Sequence, residues 1–308
     1  MASAVPRLKR ASGRARPTRR QPEKDKDTII TGVRPDGYHD LSTLFVRLPE
    51  PCDELIIRPA AGTGLRLRCA EPGIDPACNT LTKAYALYAE ATGFAPGLDA
   101  ELVKGIPHGA GLGGGSADAA LLMDWLQARC PSPLDAATLN ALAARVGADV
   151  PFFFASEPCM GEGVGERLTP CRPPLDGVYA VLVCPGIHID TKWAYAAWDR
   201  ECSVGALTGL GKADKNHRSS FLWPWTVENC FESVVFAAHP SLARLKARLV
   251  REGAAAAGMS GSGSALFGLF RDQGAARSAA CRLREEGTAV GAVYGPFLFS
   301  GYRSPDGN

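Results

Sequence analysis

The order of apolar and polar residues along the chain predicts a mixture of strands and helices. Short apolar runs and alternating stretches are typical of strands, whereas apolar residues spaced three and four apart are typical of one helix face. Strands are predicted at residues 55–58, 65–69, 100–104, 178–183, 266–270 and 289–299. Helices are predicted at residues 81–92, 116–129, 135–146 and 273–286. The elements mix without a strict strand–helix–strand rhythm, which favours an α+β fold.

Some of the predicted helices have residues at their ends that favour a start or a stop. Asp135 is suited to cap the N-terminus of the third helix, and Gly147 is suited to end it. Ser116 is suited in the same way to cap the second helix. A helix N-terminus presents unpaired N–H groups and the positive end of the helix dipole, so it is a favourable place for an anion.

A glycine-rich run comes directly before the second helix. Residues 107–120 read PHGAGLGGGSADAA, and the missing Cβ atoms let backbone N–H groups approach an anion closely. A merely flexible turn would not explain why a capped helix starts where the glycines stop, so the run predicts a phosphate-binding loop. It lacks the Gly-Lys-Ser/Thr ending of a Walker loop, and it does not open a βαβ unit as a Rossmann fingerprint does.

Length, charge and cysteine content narrow the class of protein only moderately. The 308 residues can bury a substantial core and favour two domains over one. The net charge of +2 points to no particular partner, and no apolar run reaches the length of a membrane span. The ten cysteines form no C-x-x-C pair, which favours reduced thiols in a cytoplasmic enzyme over a zinc or disulfide framework.

The first residues of the chain differ in composition from the rest. Residues 1–26 carry nine basic side chains against two acidic ones and almost no large apolar residues. We therefore expect residues 1–27 to form an atypical, basic, disordered tail. A nucleic-acid or membrane-surface arm and an organelle transit segment are alternatives, but the tail has no aromatic residue and no clear amphipathic face. We expect neither a nucleic-acid nor a membrane partner.

Several motifs together resemble the GHMP kinase superfamily, which includes galactokinase, homoserine kinase and mevalonate kinase. The glycine run is similar to the ATP-phosphate motif of that superfamily. Four further segments resemble its 4-diphosphocytidyl-2-C-methyl-D-erythritol kinase family in order and spacing: residues 32–39 (GVRPDGYH), 147–152 (GADVPF), 161–166 (GEGVGE) and 258–264 (GMSGSGS). The resemblance extends from about Ile29 to the C-terminus.

The resemblance implies a two-domain GHMP kinase fold. Residues 28–171 would form an ATP-binding domain like domain 2 of ribosomal protein S5, and residues 172–308 a ferredoxin-like substrate domain. The implied activity uses ATP and Mg²⁺ to phosphorylate the 2-hydroxyl of 4-diphosphocytidyl-2-C-methyl-D-erythritol, in the non-mevalonate route to isoprenoid precursors. The partner would be this small molecule, a cytidine diphosphate conjugate, and the protein a monomer or weak homodimer.

The resemblance also assigns residues to catalysis and to ATP. Asp149 would accept the proton of the acceptor hydroxyl, the alternative being a turn-capping aspartate. The ATP-binding residues would be Pro107, Gly109, Ala110, Gly111, Leu112, Gly113, Gly114, Gly115, Ser116, Lys104 and Asn79. Ser116 is a candidate Mg²⁺ ligand unless it serves only as a helix cap. Lys104 could equally be a solvated strand lysine.

The acceptor site follows from the same resemblance. The substrate-binding residues would be Tyr38, His39, Phe45, Tyr195, Gly261, Ser262 and Gly263. Aromatic rings suit stacking on a flat base, and the polar groups of His39 can read the edge of cytosine. Residues 261–263 would line the methylerythritol phosphate side. Phe45 taken alone is more typical of an ordinary aromatic core.

The chain departs from the family ahead of residue 28. The family carries Lys-x-Asn on an apolar strand, and counting back from Gly32 places that lysine at Glu23 and the asparagine at Asp25. Lys24 or Lys26 could substitute after a small shift, and the abrupt loss of similarity suggests an altered reading frame or start. Because the lysine normally pairs with the catalytic aspartate, a non-catalytic nucleotide-binding relative is an alternative. Another GHMP small-molecule kinase is a second, although it would lack the Asp-Gly-Tyr-His block.

Overall fold

Strands and helices alternate irregularly along the chain in a computed structural model, which describes residues 2–3, 7–9, 28–208, 227–287 and 290–300. The strands are β1 (Ala2–Ser3), β2 (Arg7–Lys9), β3 (Thr28–Val33), β4 (His39–Arg47), β5 (Glu54–Thr63), β6 (Leu65–Cys69), β7 (Pro96–Val103), β8 (Cys159–Gly163), β9 (Arg167–Pro170), β10 (Tyr179–Cys184), β11 (Ala256–Met259), β12 (Leu266–Phe270) and β13 (Ala292–Leu298). The α-helices are α1 (Thr80–Thr92), α2 (Gly114–Gln127), α3 (Ala136–Val146), α4 (Thr191–Thr208), α5 (Glu232–Ala238), α6 (Pro240–Arg251) and α7 (Gln273–Glu285). The α+β class is therefore confirmed.

Among its described residues, the N-terminal half contains two sheets and three α-helices. In the first sheet β4 pairs with β1, β3 and β8, and β8 pairs with β9. The second sheet has the order β2-β5-β7-β6. Helices α1, α2 and α3 contact one another, and their apolar faces share a core with β5 and β7 that contains Tyr88, Leu122 and Phe152. Burial of these faces is what gives the helices their stability, since isolated helices of this length are marginal in water.

The ends of two helices test the capping predictions. Asp135 accepts a hydrogen bond from Thr138 N at 2.9 Å and Gly147 ends the helix, so both predictions for α3 are confirmed. The prediction for Ser116 is wrong, because α2 begins two residues earlier. Gly113 is its N-cap, with a φ of 67° that a residue without a Cβ adopts at little cost. Ser116 instead lies in the first turn of the helix.

The C-terminal half is one antiparallel sheet covered by helices. Its strand order is β11-β12-β10-β13, with α6 and α7 packed against the central strands. This order and the alternation of elements are those of a ferredoxin-like domain, as the resemblance implied. The continuous apolar runs of β10 and β12 follow from their position, because every residue of β12 and all but the first of β10 are buried.

A third core joins the two halves. Leu44 and Val46 of β4 pack with Ala180 and Leu182 of β10, and all four side chains are nearly or fully buried. The first sheet and the C-terminal sheet therefore share apolar surface through β4 and β10. The candidate site described below lies where residues of both halves come together.

Part of the basic tail differs from the expectation of disorder. Strand β1 pairs in parallel with β4 at Val46 and Arg47, and β2 pairs in parallel with β5 along Glu54 to Ile56. These two short segments add strands to the two N-terminal sheets. The positions at which the family motif would place lysine and asparagine, Glu23 and Asp25, lie outside the described residues, as do Lys24 and Lys26.

Candidate active site

A cavity of about 610 Å³ is lined by residues of both halves. The predicted site residues that line it are Tyr38, His39, Ser116, Asp149, Tyr195 and Ser262. The polar residues that sequence reasoning missed there are Thr28, Thr191, Lys192 and Asp199. The catalytic candidate Asp149, Ser116 in the first turn of helix α2, and the rings of Tyr38, His39 and Tyr195 thus line one cavity, although they come from four separate parts of the chain.

Asp149 lies between helix α3 and a short 3-10 turn at Val150–Phe154. Its side chain makes no capping hydrogen bond to that turn, so the capping alternative is not supported. Gly165 lies next to the carboxylate and has a φ of +113°, which favours glycine; a Cβ there would be in ordinary contact with Asp149 Oδ1 at 3.4 Å. On another side, a Cβ on Gly147 would approach Ser116 Oγ to 3.8 Å. Asp149 and Ser116 both line the cavity.

The glycine loop is held in place by the C-terminal half. Three of its carbonyl oxygens accept hydrogen bonds from that half: Ile189 N donates to Gly109 O (3.2 Å), Ala265 N to Ala110 O (3.0 Å) and Ser260 Oγ to Gly111 O (3.0 Å). A Cβ on Gly111 would lie 2.3 Å from the carbonyl oxygen of Ser260, so the close approach needs glycine. The loop is therefore a fixed backbone structure next to a helix N-terminus, as a phosphate site requires.

The remaining predicted ATP residues occupy different kinds of position. Ala110 and Leu112 point their side chains into the core between the halves, so only their backbone is available to a ligand. Asn79 caps helix α1, with its Oδ1 accepting from Leu81 N at 2.9 Å. Pro107 and the glycines at 109 and 113–115 belong to the loop and to the start of α2. A contact of any of them with ATP stays a prediction.

Lys104 is neither solvated nor directed at the surface. Its ammonium group forms ion pairs with Asp53 and, at 3.4 Å, with Asp118, and its side chain is only 7% exposed. Asp53 also accepts hydrogen bonds from the backbone N–H groups of Gly105 (2.8 Å) and Ile106 (2.9 Å). This cluster joins the end of β7 to the first turns of α2, next to Gly114, so Lys104 supports the loop from the protein side.

The charges of this cluster shift one another's titration. Burial raises the pKa of Asp118 well above its usual range, and Asp53 adds to the rise while Lys104 opposes it. Burial alone would lower the pKa of Lys104, but the two carboxylates raise it. Asp118 Oδ1 is buried with no hydrogen-bond partner among the described residues. One ammonium group here serves two carboxylates.

The other end of the cavity is aromatic. The ring of His39 lies 4.8 Å from that of Tyr195 between centroids, and Tyr195 in turn packs edge-on against Phe231 at 4.8 Å. Burial raises the pKa of Tyr195, and the charge of Asp149 contributes, so its hydroxyl stays protonated at neutral pH. Tyr38 is 64% exposed at the cavity mouth. A flat ligand could enter between an exposed ring and a buried one.

Phe45, which the resemblance assigns to the acceptor pocket, does not line the cavity. Phe45 is fully buried, stacks on Phe152 at 5.0 Å and belongs to the core of the N-terminal half. A Cβ on Gly161 would lie 2.1 Å from its ring, so the neighbouring strand is shaped around it. Phe45 is an apolar residue of β4 whose side chain faces the core because side chains alternate along a strand.

The loop at residues 261–263 is held by a buried asparagine. Asn229 Nδ2 donates to Met259 O and Gly261 O, both at 2.7 Å, and its Oδ1 accepts from Phe231 N. Ser262 Oγ lies 3.0 Å from Thr191 Oγ1 at the start of α4. Ser262 lines the cavity, whereas Gly261 and Gly263 shape the loop beside it. Their assignment to the acceptor stays a prediction.

Comparison with known proteins agrees with this geometry. The families described as GHMP kinases N terminal domain and GHMP kinases C terminal match residues 79–157 and 203–289. A crystal structure of homoserine kinase from Cytophaga hutchinsonii is 17% identical, covers 93% of this chain and 98% of its own, and has a TM-score of 0.62, which shows the shared fold. The fold and the site thus define the molecule as a GHMP-type small-molecule kinase.

More similar relatives narrow the class. The 4-diphosphocytidyl-2-C-methyl-D-erythritol kinase of Nitratidesulfovibrio vulgaris is 49% identical over 86% of this chain and 93% of its own length. The enzyme of the same name from Lawsonia intracellularis is 40% identical over 79% and 84%. A crystal structure of 4-(cytidine 5'-diphospho)-2C-methyl-D-erythritol kinase is 35% identical, covers 89% and 96%, and has a TM-score of 0.66. The chain belongs to the 4-diphosphocytidyl-2-C-methyl-D-erythritol kinase family.

Three further observations concern the phosphoryl donor, metal ions and membrane-spanning helices. Membership of a kinase family implies that ATP is used as the phosphoryl donor. Within the described residues, no group of three or more His, Cys, Asp or Glu side chains is arranged to hold a metal ion. Across the same parts of the chain, no helix is both long and apolar enough to cross a bilayer.

Proposed function

We propose that this protein transfers the γ-phosphoryl group of ATP to the 2-hydroxyl of 4-diphosphocytidyl-2-C-methyl-D-erythritol, giving the 2-phosphate and ADP. The observation that carries the proposal is the shared cavity. Asp149 and Ser116, beside the glycine loop, line the same space as His39 and Tyr195, which suit a base. A nucleotide phosphate and a cytidine conjugate could therefore meet at one carboxylate.

Each residue has a role that follows from its chemistry. Asp149 accepts the proton of the acceptor hydroxyl. The hydroxyl oxygen forms the new bond to the γ-phosphorus of ATP as the bond between that phosphorus and ADP breaks. The N–H groups of the glycine loop and the start of α2 bind the phosphates. Tyr38 and Tyr195 stack on cytosine, and His39 binds its polar edge. Residues 261–263 hold the methylerythritol phosphate portion of the acceptor.

We further propose that Mg²⁺ accompanies ATP and that Ser116 is one of its ligands. Mg²⁺ prefers oxygen ligands, keeps several waters and is commonly held by substrate phosphates with few protein groups. The hydroxyl of Ser116 lines the cavity within the first turn of α2, which fits such a minimal site. When bound, the ion would neutralise phosphate charge.

The first experiment is ADP release by the purified chain with Mg-ATP and one acceptor at a time. We expect turnover with 4-diphosphocytidyl-2-C-methyl-D-erythritol and none with homoserine or mevalonate. Turnover with either of those two acceptors alone would replace the proposed substrate. Nucleotide binding without any turnover would instead support the non-catalytic relative suggested by Glu23 and Asp25, where the family motif has lysine and asparagine.

We also propose that the protein acts in the cytoplasm as a monomer or weak homodimer, without a nucleic-acid or membrane partner. The sequence feature that favours nucleic acid is the excess of basic residues in positions 1–26. Deleting residues 1–27 should leave retention on an immobilised nucleic acid as low as that of the full chain. A retained full chain that is released by the deletion would contradict this proposal, and sedimentation of the full chain tests its oligomeric state.

A further inference from the structure

Asp199 contacts the ring of His39, although 160 residues separate them in the sequence. Asp199 lies on helix α4, and its Oδ1 is 2.7 Å from His39 Nε2. The histidine side chain is 6% exposed, whereas that of Asp199 is 45% exposed, and both residues line the cavity. The contact therefore joins a buried ring to a partly solvated carboxylate at the wall of the acceptor site.

The carboxylate determines which ring nitrogen carries the hydrogen. An ionised aspartate has no hydrogen to donate, so Nε2 must be the donor in this 2.7 Å contact. In a neutral imidazole the other nitrogen, Nδ1, is then unprotonated and acts as an acceptor. The same arrangement sets the tautomer of histidines that bind metals or act as bases in other proteins, where a carboxylate orients the ring.

Helix α4 also fixes the plane of the ring. Tyr195 lies one turn before Asp199 on the helix, with its ring 4.8 Å from that of His39 and tilted by 33°. Trp198 approaches the imidazole edge-on at 5.7 Å. Three residues of one helix thus hold the position, the tilt and the protonated nitrogen of a ring that belongs to β4.

We propose that Asp199 is a positioning residue for the acceptor site: it holds His39 as the Nε2–H tautomer, so that Nδ1 accepts a hydrogen bond from an amino group of the bound base. This inference rests on the proposed function, which puts cytosine in the cavity. Cytosine carries an amino group at C4, which can donate to His39 Nδ1. A base with a carbonyl oxygen at that position would place one acceptor against another, because both the oxygen and Nδ1 carry lone pairs. Asp199 itself need not touch the substrate.

The test compares three substitutions on helix α4. Asp199→Ala removes the partner of His39, and Asp199→Asn keeps an acceptor while its amide can also donate, so the tautomer is no longer selected. Glu201→Gln is the matched control, because it makes the same acid-to-amide change two residues further on, where the carboxylate accepts from Ser233 Oγ instead. The quantities measured are kcat, KM for ATP and KM for the cytidyl substrate.

We expect Asp199→Ala to raise KM for the cytidyl substrate about tenfold, the change that corresponds to one lost hydrogen bond, with kcat and KM for ATP within about twofold of wild type. Asp199→Asn should fall between wild type and alanine, and Glu201→Gln should match wild type. Equal KM values for Asp199→Ala and Glu201→Gln would overturn the proposal, as would a fall in kcat alone.

A second readout does not depend on turnover. Long-range ¹H–¹⁵N spectra of the histidine rings, with His39 assigned from His39→Gln, report the tautomer directly. We expect Nε2–H in the wild type, a mixture in Asp199→Asn, and a shift of the Nδ1 resonance when cytidine 5′-diphosphate is added. An Nδ1–H tautomer in the wild type would overturn the proposal. A chain that fails to turn over but gives the expected spectra would contradict the proposed function only.

Discussion

Asp149 is the single residue whose substitution tests the chemistry most directly. Its carboxylate borders the cavity next to Ser116 and makes no capping hydrogen bond to the turn that follows it. We expect Asp149→Asn to lower kcat with the cytidyl substrate by about 10²- to 10⁴-fold, because the amide cannot accept the hydroxyl proton. Nucleotide affinity and the urea midpoint should stay close to wild type. A variant that keeps most of its kcat would remove Asp149 from the mechanism.

Single residues also show where sequence reasoning reaches its limit. Asp149 was identified from the motif around it, and the structure places it at the cavity. The resemblance assigns Lys104 to ATP binding, but its ammonium group pairs with Asp53 and Asp118. Nothing local in the sequence shows that two carboxylates approach it. The contact between His39 and Asp199 is equally hidden, because pairing across 160 residues is determined by the fold and not by any spacing.

The cluster around Lys104 predicts an unusual pH dependence of stability. The raised pKa of Asp118 means that the folded protein holds a proton where the unfolded chain has released it. The stabilisation from protonated Asp118 is therefore complete below the ordinary aspartate pKa of about 4, and it is lost as pH rises towards the pKa of Asp118 in the folded protein. We expect Asp118→Asn to abolish that part of the decline, measured by urea unfolding between about pH 5 and pH 8.

The control for this pH series is Asp124→Asn, an exposed position on the same helix α2. It should leave the slope of unfolding free energy against pH unchanged. If Asp118→Asn and Asp124→Asn both gave the same slope as wild type, Asp118 would be ionised over the whole pH range of the series, which would contradict the prediction. Lys104→Met, by contrast, should cost about 3–5 kcal/mol, because it leaves the buried carboxylate of Asp53 without its cation.

At the scale of elements, the glycine loop is defined by its backbone contacts. Gly111 has a φ of +73°, and an added Cβ would lie 2.3 Å from the carbonyl oxygen of Ser260. Because the obstacle is backbone, it cannot move aside as a flexible side chain would. We expect Gly111→Ala to raise KM for ATP at least about tenfold, since the loop must shift to relieve the clash.

Gly177→Ala is the control for this loop substitution. Gly177 has a similar φ of +76°, but an added Cβ there would meet nothing within 4 Å. Gly177→Ala should therefore lower the free energy of unfolding by about 1 kcal/mol, because of the backbone conformation alone, and should leave KM for ATP unchanged. Equal effects of the two substitutions on KM would show that the contact with Ser260 does not control the loop.

Each element that the sequence pattern predicts has a counterpart in the structure, but β3, β4, β8, β9, β11 and helices α4–α6 were not predicted, and the ends of the elements are harder to predict than their presence. Helix α3 begins after Asp135 because its side chain caps a backbone N–H group, which is a local interaction visible in the sequence. Helix α2 begins at Gly114, because Gly113 already adopts the left-handed conformation that redirects the chain. A glycine run offers several such positions, and the choice among them depends on tertiary contacts with residues such as Thr80 and Ser260, which are distant in the sequence.

At the scale of the whole molecule, the two halves share a buried core and should unfold together. Leu182 is fully buried in β10 and packs in the same cluster as Leu44 and Val46 of β4. We expect Leu182→Ala to lower the free energy of unfolding by about 2–5 kcal/mol, and calorimetry to show one transition at a lower temperature. Leu298→Ala, at a position that is 53% exposed in β13, is the matched control and should change little. Two separate transitions would show that the halves fold independently.

Ser116 belongs to the first turn of α2, directly after the glycine loop, and also lines the wall of the cavity that holds His39 and Tyr195. The two candidate substrate sites are therefore neighbours without a wall between them at this residue. A compound that joins a cytosine-like ring to a phosphate mimic by a short linker could occupy both at once. Its second contact would form within one molecule, at an effective concentration in the millimolar range, so its affinity could exceed that of either fragment by about 10²- to 10⁴-fold.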